Sequence, residues 1–169
     1  MIGGKPTIGY GGKALQDYQQ LQAIARANGF KIQDILPRDA MGKAMTAEGT
    51  LEQLALGKLD INRIAQDVRK LAAIGQSDYV KDLLAQGYDL ENIYAPYKER
   101  MSTVLELDPN TISLNDPTLR MGIGKEGDMN LYDFERALRA DSRWQYTSNA
   151  RKDVADSALQ VLKDFGFQG

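Results

Sequence analysis

The C-terminal stretch of the chain, residues 129–169, reads MNLYDFERALRADSRWQYTSNARKDVADSALQVLKDFGFQG and carries most of the fold prediction. Asn130 and Thr147 each stand directly before a segment with apolar residues at helical spacing, which is the place of an N-cap. The only tryptophan, Trp144, lies between the two segments. The stretch therefore predicts two capped amphipathic helices and a C-terminal region built to dock.

The second of these helices carries one continuous apolar face, called the C-terminal stripe below. Its members are Ala150, Val154, Ala158, Val161, Leu162 and Phe165. Gly166 suits the left-handed conformation that ends a helix and turns Phe167 back onto it. We expect the stripe to pack on the preceding helices, with Trp144 sealing the junction.

Helical spacing recurs through the rest of the chain. One apolar series begins at Leu15 and ends at Asn28-Gly29, a second follows the capping residue Asp60 and closes at Gly75, and a third runs from Ser77 to Gly87. The strict alternation of apolar and polar residues that marks a half-buried strand is missing, and β-branched residues are sparse. The sequence thus predicts an all-α fold, an irregular bundle of short helices in one domain over residues 15–169, and leaves open a sub-boundary near 107–130.

The secondary structure of several segments of this bundle is less clearly specified by the sequence. Asp89 predicts a cap for the next helix, in which Pro96 either introduces a kink or starts a new helix. The Asp-Pro pairs at 108–109 and 116–117 each predict a short helical turn. Residues 122–127 predict a polar glycine loop. Short strand pairing near 32–36 or 111–114 stays open.

The N-terminal residues 1–14 have a different composition, rich in glycine with isolated apolar side chains such as Ile8 and Tyr10. Such a segment loses much backbone entropy on folding and buries little in return. We expect a flexible arm that a partner orders. It is not a phosphate loop, because no Gly-Lys pair in the chain is followed by Ser or Thr.

The composition excludes several kinds of chemistry, because the 169 residues include neither histidine nor cysteine. Without them there is no Ser-His-Asp or Cys-His catalysis, no zinc or haem site of the usual kind, and no disulfide. We therefore expect no cofactor, no metal and no enzymatic activity. A net charge of -2 gives no support for DNA contact. No apolar run reaches the roughly eighteen residues of a membrane span, and the N-terminus lacks the apolar core of a signal peptide.

Two groups of carboxylates are candidates for a chemical site, one for calcium binding and one for glycoside hydrolysis. Asp128, Asn130 and Asp133 have the spacing of calcium ligands, but the glycine and the bidentate glutamate of a calcium loop are missing, so capping of a helix by Asn130 is favoured. The glutamates that a glycosidase would need, Glu91, Glu99 and Glu106, show no cleft signature. Solvated helix faces are the favoured interpretation for them.

Aromatic and basic residues give the candidate interaction sites. Arg139, Arg143, Trp144 and Tyr146 form one cluster at the helix junction, with the composition that interface hot spots favour. Trp144 also fits a core position between the last two helices, and both roles can hold together. Tyr94 and Tyr97 flank Pro96 as a second cluster, for which a core role is preferred. Ile8 and Tyr10 complete the set.

Three stretches carry a resemblance to a known class of proteins. They are GYDLENIYAPY at 87–97, the LDP and LNDPTL segments within 107–119, and the LYDF, RWQYT and LQVLKDFGF segments within 131–167. In overall texture they resemble C-terminal portions of virion structural proteins of tailed bacteriophages, of the tape-measure or DNA-ejection kind. The resemblance covers about the last half of the chain. Tape-measure proteins are long, so this short chain is either a fragment or a separate small virion protein.

The resemblance implies a helical, oligomeric and non-catalytic protein of the virion, assembled in the host cytoplasm. It would dock through its C-terminal region in the tail or the head-tail channel, with other virion proteins and further copies of itself as partners and with no small-molecule substrate. Two alternatives remain: a small virion hydrolase that uses carboxylates, and a cytoplasmic helical adaptor. A concave pocket with paired carboxylates would favour the hydrolase.

Overall fold

The computed structural model describes residues 12–124 and 127–166. These residues are mostly α-helical, which confirms the predicted all-α class. In chain order the helices are α1 Lys13–Ala27, α2 Ile32–Ile35, α3 Ala47–Ala55, α4 Ile61–Ala72, α5 Asp78–Ala85, α6 Leu90–Leu105, α7 Pro117–Arg120, α8 Leu131–Leu138 and α9 Ser148–Asp164. Two 3₁₀ turns, Pro109–Thr111 and Trp144–Tyr146, and two strands, β1 Ile123–Gly124 and β2 Gly127–Asp128, complete the described elements.

The chain divides into two compact units, Met1–Ile93 and Tyr94–Gly169. The predicted arm, with Ile8 and Tyr10, lies outside the described residues except for its last positions, where α1 has already begun. In the first unit α1 packs against α3 and α4. The apolar side chains that meet there are Leu21, Ile24, Ala25, Ile35, Leu54, Ala65 and Val68.

Local capping chemistry sets the helix boundaries of the first unit. The Asp60 carboxylate accepts hydrogen bonds from the backbone N–H groups of Asn62 and Arg63 at the start of α4, as predicted. Gly29 follows α1 with a φ of 80°, and the N–H of Phe30 donates to the carbonyl of Ala25 at 2.9 Å. This six-to-one hydrogen bond is the Schellman motif.

Asn28 also has a role beyond ending α1. Its buried side chain donates to the Ile24 carbonyl at 2.9 Å and to the Asp89 carboxylate at 2.8 Å, and its oxygen accepts from the N–H of Leu90 at 3.1 Å. Arg69 donates to the same Asp89 oxygen at 2.9 Å. One side chain at the end of α1 thus accepts the N–H of the first residue of α6.

Helix α6 runs continuously through Pro96 from Leu90 to Leu105, so Pro96 does not start a new helix. Tyr97 is buried in the second unit, with the ring of Phe134 edge-on to it at a centroid distance of 5.0 Å. Its hydroxyl donates to the carbonyl of Met129 at 2.5 Å. A Cβ added at Gly122 would overlap the Tyr97 ring, so any larger residue here requires the ring to shift.

The described strand pairing lies in the segment that was predicted to be a loop. β1 and β2 pair antiparallel, with Ile123 opposite Asp128 and Gly124 opposite Gly127. The two segments for which strand pairing was left open, 32–36 and 111–114, do not form strands, because residues 32–35 form α2 and Thr111 ends a 3₁₀ turn. Glycines lack the side-chain alternation by which a strand is recognised, so the sequence predicted only a loop here.

Candidate functional site

The junction between α8 and α9 is organised around Arg143. Its guanidinium donates to Asp116 at 2.7 and 3.3 Å and to Asp141 at 2.7 and 2.9 Å, so both aspartates are bound in bidentate fashion. The hydroxyl of Thr118 donates to Asp141 at 2.5 Å. Asp116 additionally caps α7 by accepting from the N–H of Thr118 at 2.9 Å. These contacts join α7 to the segment that leads into α9.

The electrostatics of this junction follow from the same hydrogen bonds. Those from Arg143 hold the pKa of the Asp141 carboxyl well below its usual range, and the two carboxylates raise the pKa of Arg143. Burial raises the pKa of Asp116, but the hydrogen bonds from Arg143 and from backbone N–H groups outweigh it, so the net direction is down. All three groups are therefore held in their charged forms.

The N-terminus of α9 is fixed by two side chains. Thr147 is buried and accepts from the N–H of Ala150 at 3.1 Å, which confirms its predicted role as the cap. Glu106, directly after α6, accepts from the N–H of Ser148 at 3.0 Å and from the N–H of Asn149 at 3.2 Å. The Ser148 hydrogen bond is the main cause that lowers the pKa of Glu106. Two N–H groups that a helix leaves unpaired are thus satisfied by the residue that follows α6.

Beyond this first turn α9 is exposed on all sides. Ala150 is buried, but every residue from 151 to 166 is exposed. Exposure reaches 47% at Leu162 and 77% at Phe165. The prediction that the C-terminal stripe packs on the preceding helices was therefore wrong. Helical periodicity shows which face is apolar, but it does not show whether the same chain supplies the surface that covers it.

The predicted interaction residues have different environments. Trp144 is half-buried, whereas Tyr146 is 74% exposed. Arg139 is exposed and lies 3.7 Å from Glu135, while Arg143 is taken up by its two aspartates. Tyr94 and Tyr97 are buried in the core. The exposed aromatic and apolar surface of this region therefore includes Tyr146 and α9, together with Tyr132 at the start of α8.

Two of the candidate carboxylates, Asp133 and Glu106, have structural contacts in the described part of the chain. Asn130 accepts from the N–H of Asp133 at 2.9 Å and donates to its carboxylate at 2.6 Å, which confirms helix capping by Asn130. Glu106 holds the start of α9, as described above. Within 12–124 and 127–166, no group of three or more acidic residues is placed to hold a metal ion.

Two grooves of the first unit differ in their acidic side chains. One, of about 430 Å³, is lined by α4 and α5 and contains Arg69, Lys70 and Lys81 without a carboxylate. The other, of about 460 Å³, is lined in part by Asp34, Asp60 and Asp67. Asp60 caps α4 there, and Asp34 accepts from the N–H of Lys31 at 3.1 Å. Two of the three acids in this groove therefore serve their own helices.

The contacts that hold α9 were not predicted from the sequence. Arg143 and Asp116 are 27 residues apart, and Glu106 is 42 residues from Ser148. The Asp-Pro start at 116–117 was the only local signal for Asp116, and it indicated a cap but not a partner.

Comparison with protein-family models, with curated protein sequences and with solved structures gives no match for this chain. Among the helices of the described residues, none combines the length and the apolar character needed to cross a membrane.

Proposed function

We propose that this chain is a non-enzymatic structural and interaction protein of a tailed-phage particle, which assembles through the exposed C-terminal stripe of α9. The observation that carries the proposal is the contrast within α9 between a fixed first turn and an apolar face exposed from Val154 to Phe165. Such a face gains free energy only when another surface covers it.

The energetics support a docking role. Full burial of a Val, Leu or Phe side chain is worth roughly 1.5–3 kcal/mol. Four such side chains of the stripe are 47% to 77% exposed, so part of this free energy remains to be gained on docking. Isolated helices of about 12–15 residues are marginal in water. The hydrogen bonds that Thr147 and Glu106 accept from backbone N–H groups offset part of this instability, because they hold the first turn of α9 before any partner binds.

The contacts of three carboxylates support a structural role for them over that of a hydrolase's general acid. Glu106, Asp116 and Asp141 each accept hydrogen bonds that lower the pKa of the carboxyl group. A glycosidase needs a general acid with a raised pKa. The phage setting is supported by the resemblance of residues 87–97, 107–119 and 131–167 to virion structural proteins.

The test compares two variants of α9 with equal changes in charge. Leu162→Glu places a carboxylate in the stripe, and Gln160→Glu places one on the opposite side of the same helix. Quantitative mass spectrometry of purified particles measures how much of each variant is incorporated. We expect incorporation of Leu162→Glu to be lost and that of Gln160→Glu to match the parent. Equal incorporation of both variants would contradict docking through the stripe, and particles without the parent chain would overturn the virion setting.

A further inference from the structure

Asn28 and Gly29 form the single Asn-Gly pair of the chain. This dipeptide carries a reaction of its own, because the backbone nitrogen of the glycine can attack the side-chain amide carbon of the asparagine and no Cβ hinders the approach. Ammonia leaves as the new C–N bond closes a cyclic imide. Water then opens this ring at either carbonyl, so the net change is the addition of water and the loss of ammonia, and residue 28 becomes aspartate or isoaspartate.

The backbone of the folded chain keeps the two reacting groups apart. Asn28 has a ψ of 10°, so the Gly29 nitrogen is nearly eclipsed with the backbone nitrogen of Asn28 and points away from Cβ and the side-chain amide. The N–H of Gly29 also donates to the carbonyl of Arg26 at 3.1 Å. Ring closure requires rotation of ψ and loss of this hydrogen bond, so it cannot occur without unwinding the end of α1.

The side chain of Asn28 is fixed as well. Only 3% of the residue is exposed, so the water that opens the imide has little access in the folded chain. The amide nitrogen donates to the Ile24 carbonyl and to the Asp89 carboxylate, and the amide oxygen accepts from the N–H of Leu90. A carboxylate in place of this amide has no proton to donate to the first two partners.

We propose that Asn28 is a latent deamidation site, which the fold keeps unreactive and which is converted irreversibly when the end of α1 opens. This inference does not depend on the proposed docking role. Local opening of helix ends occurs in folded proteins at a free energy below that of global unfolding. Each opening gives the pair an opportunity to react, and refolding does not restore the amide because the ammonia has left.

The deamidated chain does not rebuild the contacts between α1, α4 and the start of α6. Aspartate at position 28 places a carboxylate oxygen where the amide nitrogen now lies 2.8 Å from Asp89. Arg69, whose Nε donates to Asp89 at 2.9 Å, is then shared by two carboxylates. Like charges this close in a part-buried place destabilise the folded form. Isoaspartate in addition inserts a carbon into the main chain and displaces the hydrogen bonds that end α1.

The first experiment measures deamidation of Asn28 by peptide mass mapping of the full chain, which detects the conversion of an amide to an acid. The folded chain at neutral pH is compared with the same chain in denaturant. We expect the folded chain to react at least about a hundredfold more slowly. In denaturant, Gly29→Ala should slow the reaction, because the added Cβ hinders ring closure. Equal rates in the two states, or a rate that Gly29→Ala leaves unchanged, would overturn the proposal.

A second measurement tests whether the contact with Asp89 protects the amide. Asp89→Ala removes an acceptor of the Asn28 side chain, so we expect deamidation in the folded chain to become about tenfold faster. Asp67→Ala is the matched control, because the exposed Asp67 carboxylate pairs with Lys70 instead, and its rate should equal that of the parent. An Asp89→Ala rate no higher than the control rate would overturn protection by this hydrogen bond.

The third measurement tests the effect of the product on the fold. Asn28→Asp reproduces deamidation without the change in the main chain, and it should unfold at a lower denaturant concentration than the parent. Asn28→Asp combined with Asp89→Asn exchanges amide and carboxylate, so a donor again lies between the two side chains and part of the loss should be recovered. A single variant as stable as the parent, or a double variant no more stable than the single one, would overturn the damage assigned to deamidation.

Discussion

Glu106 accepts a hydrogen bond at 3.0 Å from the backbone N–H of Ser148, so the residue after α6 holds the first residue of α9. Glu106 has a φ of 53°, a left-handed conformation that is uncommon for a residue other than glycine. This strained backbone conformation occurs where the Glu106 side chain satisfies N–H groups at the start of another helix. A carboxylate at a helix N-terminus also opposes the positive end of the helix dipole.

The first prediction follows from the titration of Glu106. Because its pKa is lower in the folded protein than in the unfolded chain, its contribution is complete above the ordinary glutamate value of about 4.3 and is lost as the pH falls through the folded value. We expect the amide protons of the first turn of α9 to exchange faster at acidic pH, once the rates are corrected for intrinsic exchange. Glu106→Gln should show the faster exchange at neutral pH already. The control is Glu99→Gln on exposed α6 surface, and equal protection in both variants would contradict a role for Glu106 in holding α9.

The second prediction concerns Arg143. Its removal in Arg143→Ala leaves Asp116 and Asp141 without their shared partner. Loss of one partner from a buried pair costs about 3–5 kcal/mol, and partial exposure of Arg143 reduces this to about 1–3 kcal/mol. Denaturant unfolding measures the free energy. Arg143→Lys keeps the charge but not the bidentate hydrogen bonds, so we expect an intermediate loss. An Arg143→Ala protein as stable as the parent would show that the junction does not depend on this side chain.

The third prediction tests the contact of Gly122 with Tyr97. In Gly122→Ala the new Cβ overlaps the Tyr97 ring, and the displacement of a core aromatic should cost about 1–3 kcal/mol. Gly124→Ala is the matched control, because a Cβ there meets nothing within 4 Å. Thermal unfolding should show a lower Tm for the first variant only. Equal Tm values would mean that the Tyr97 ring moves at little cost.

The fourth prediction compares two leucines of the second unit. Leu138 in α8 is fully buried, and Leu138→Ala should lower the free energy of unfolding by about 2–5 kcal/mol. Leu162 in α9 is 47% exposed, so for a chain diluted to the monomer Leu162→Ala should cost less than about 1 kcal/mol. Denaturant unfolding of the diluted chain gives both values. A large loss for Leu162→Ala under these conditions would mean that α9 packs on its own chain after all.

Features decided within a few residues were predictable from the sequence. The cap of α4 by Asp60, that of α8 by Asn130 and that of α9 by Thr147 each join a side chain to an N–H two or three residues away. The same holds for the end of α1 at Asn28-Gly29. Capping side chains of this kind have a fixed position relative to the apolar spacing, so the pattern is visible without the fold.

Features decided across the chain were not predictable in this way. Asn28 was recognised as the end of α1, but its hydrogen bonds to Asp89 and Leu90 span more than 60 residues. Gly122 was assigned to a loop, and only the approach of Tyr97 shows why glycine stands there. The largest difference between prediction and structure concerns the C-terminal stripe, which was expected to be packed and is exposed. Amphipathic spacing is the same in a helix that packs on its own chain and in one that binds a partner.

The fixed first turn of α9 also makes the length of this helix independent of the body that carries it. Thr147, Ala150 and Glu106 all act at one end, and each turn beyond them adds about 5.4 Å of reach without a new contact to α6 or α8. Insertion or removal of whole turns between Val154 and Phe165 would therefore change how far the helix extends while the rest of the second unit folds as before. Changes in the exposed part of α9 therefore alter the length of the helix, whereas changes at Thr147 or Glu106 alter how stably it is attached.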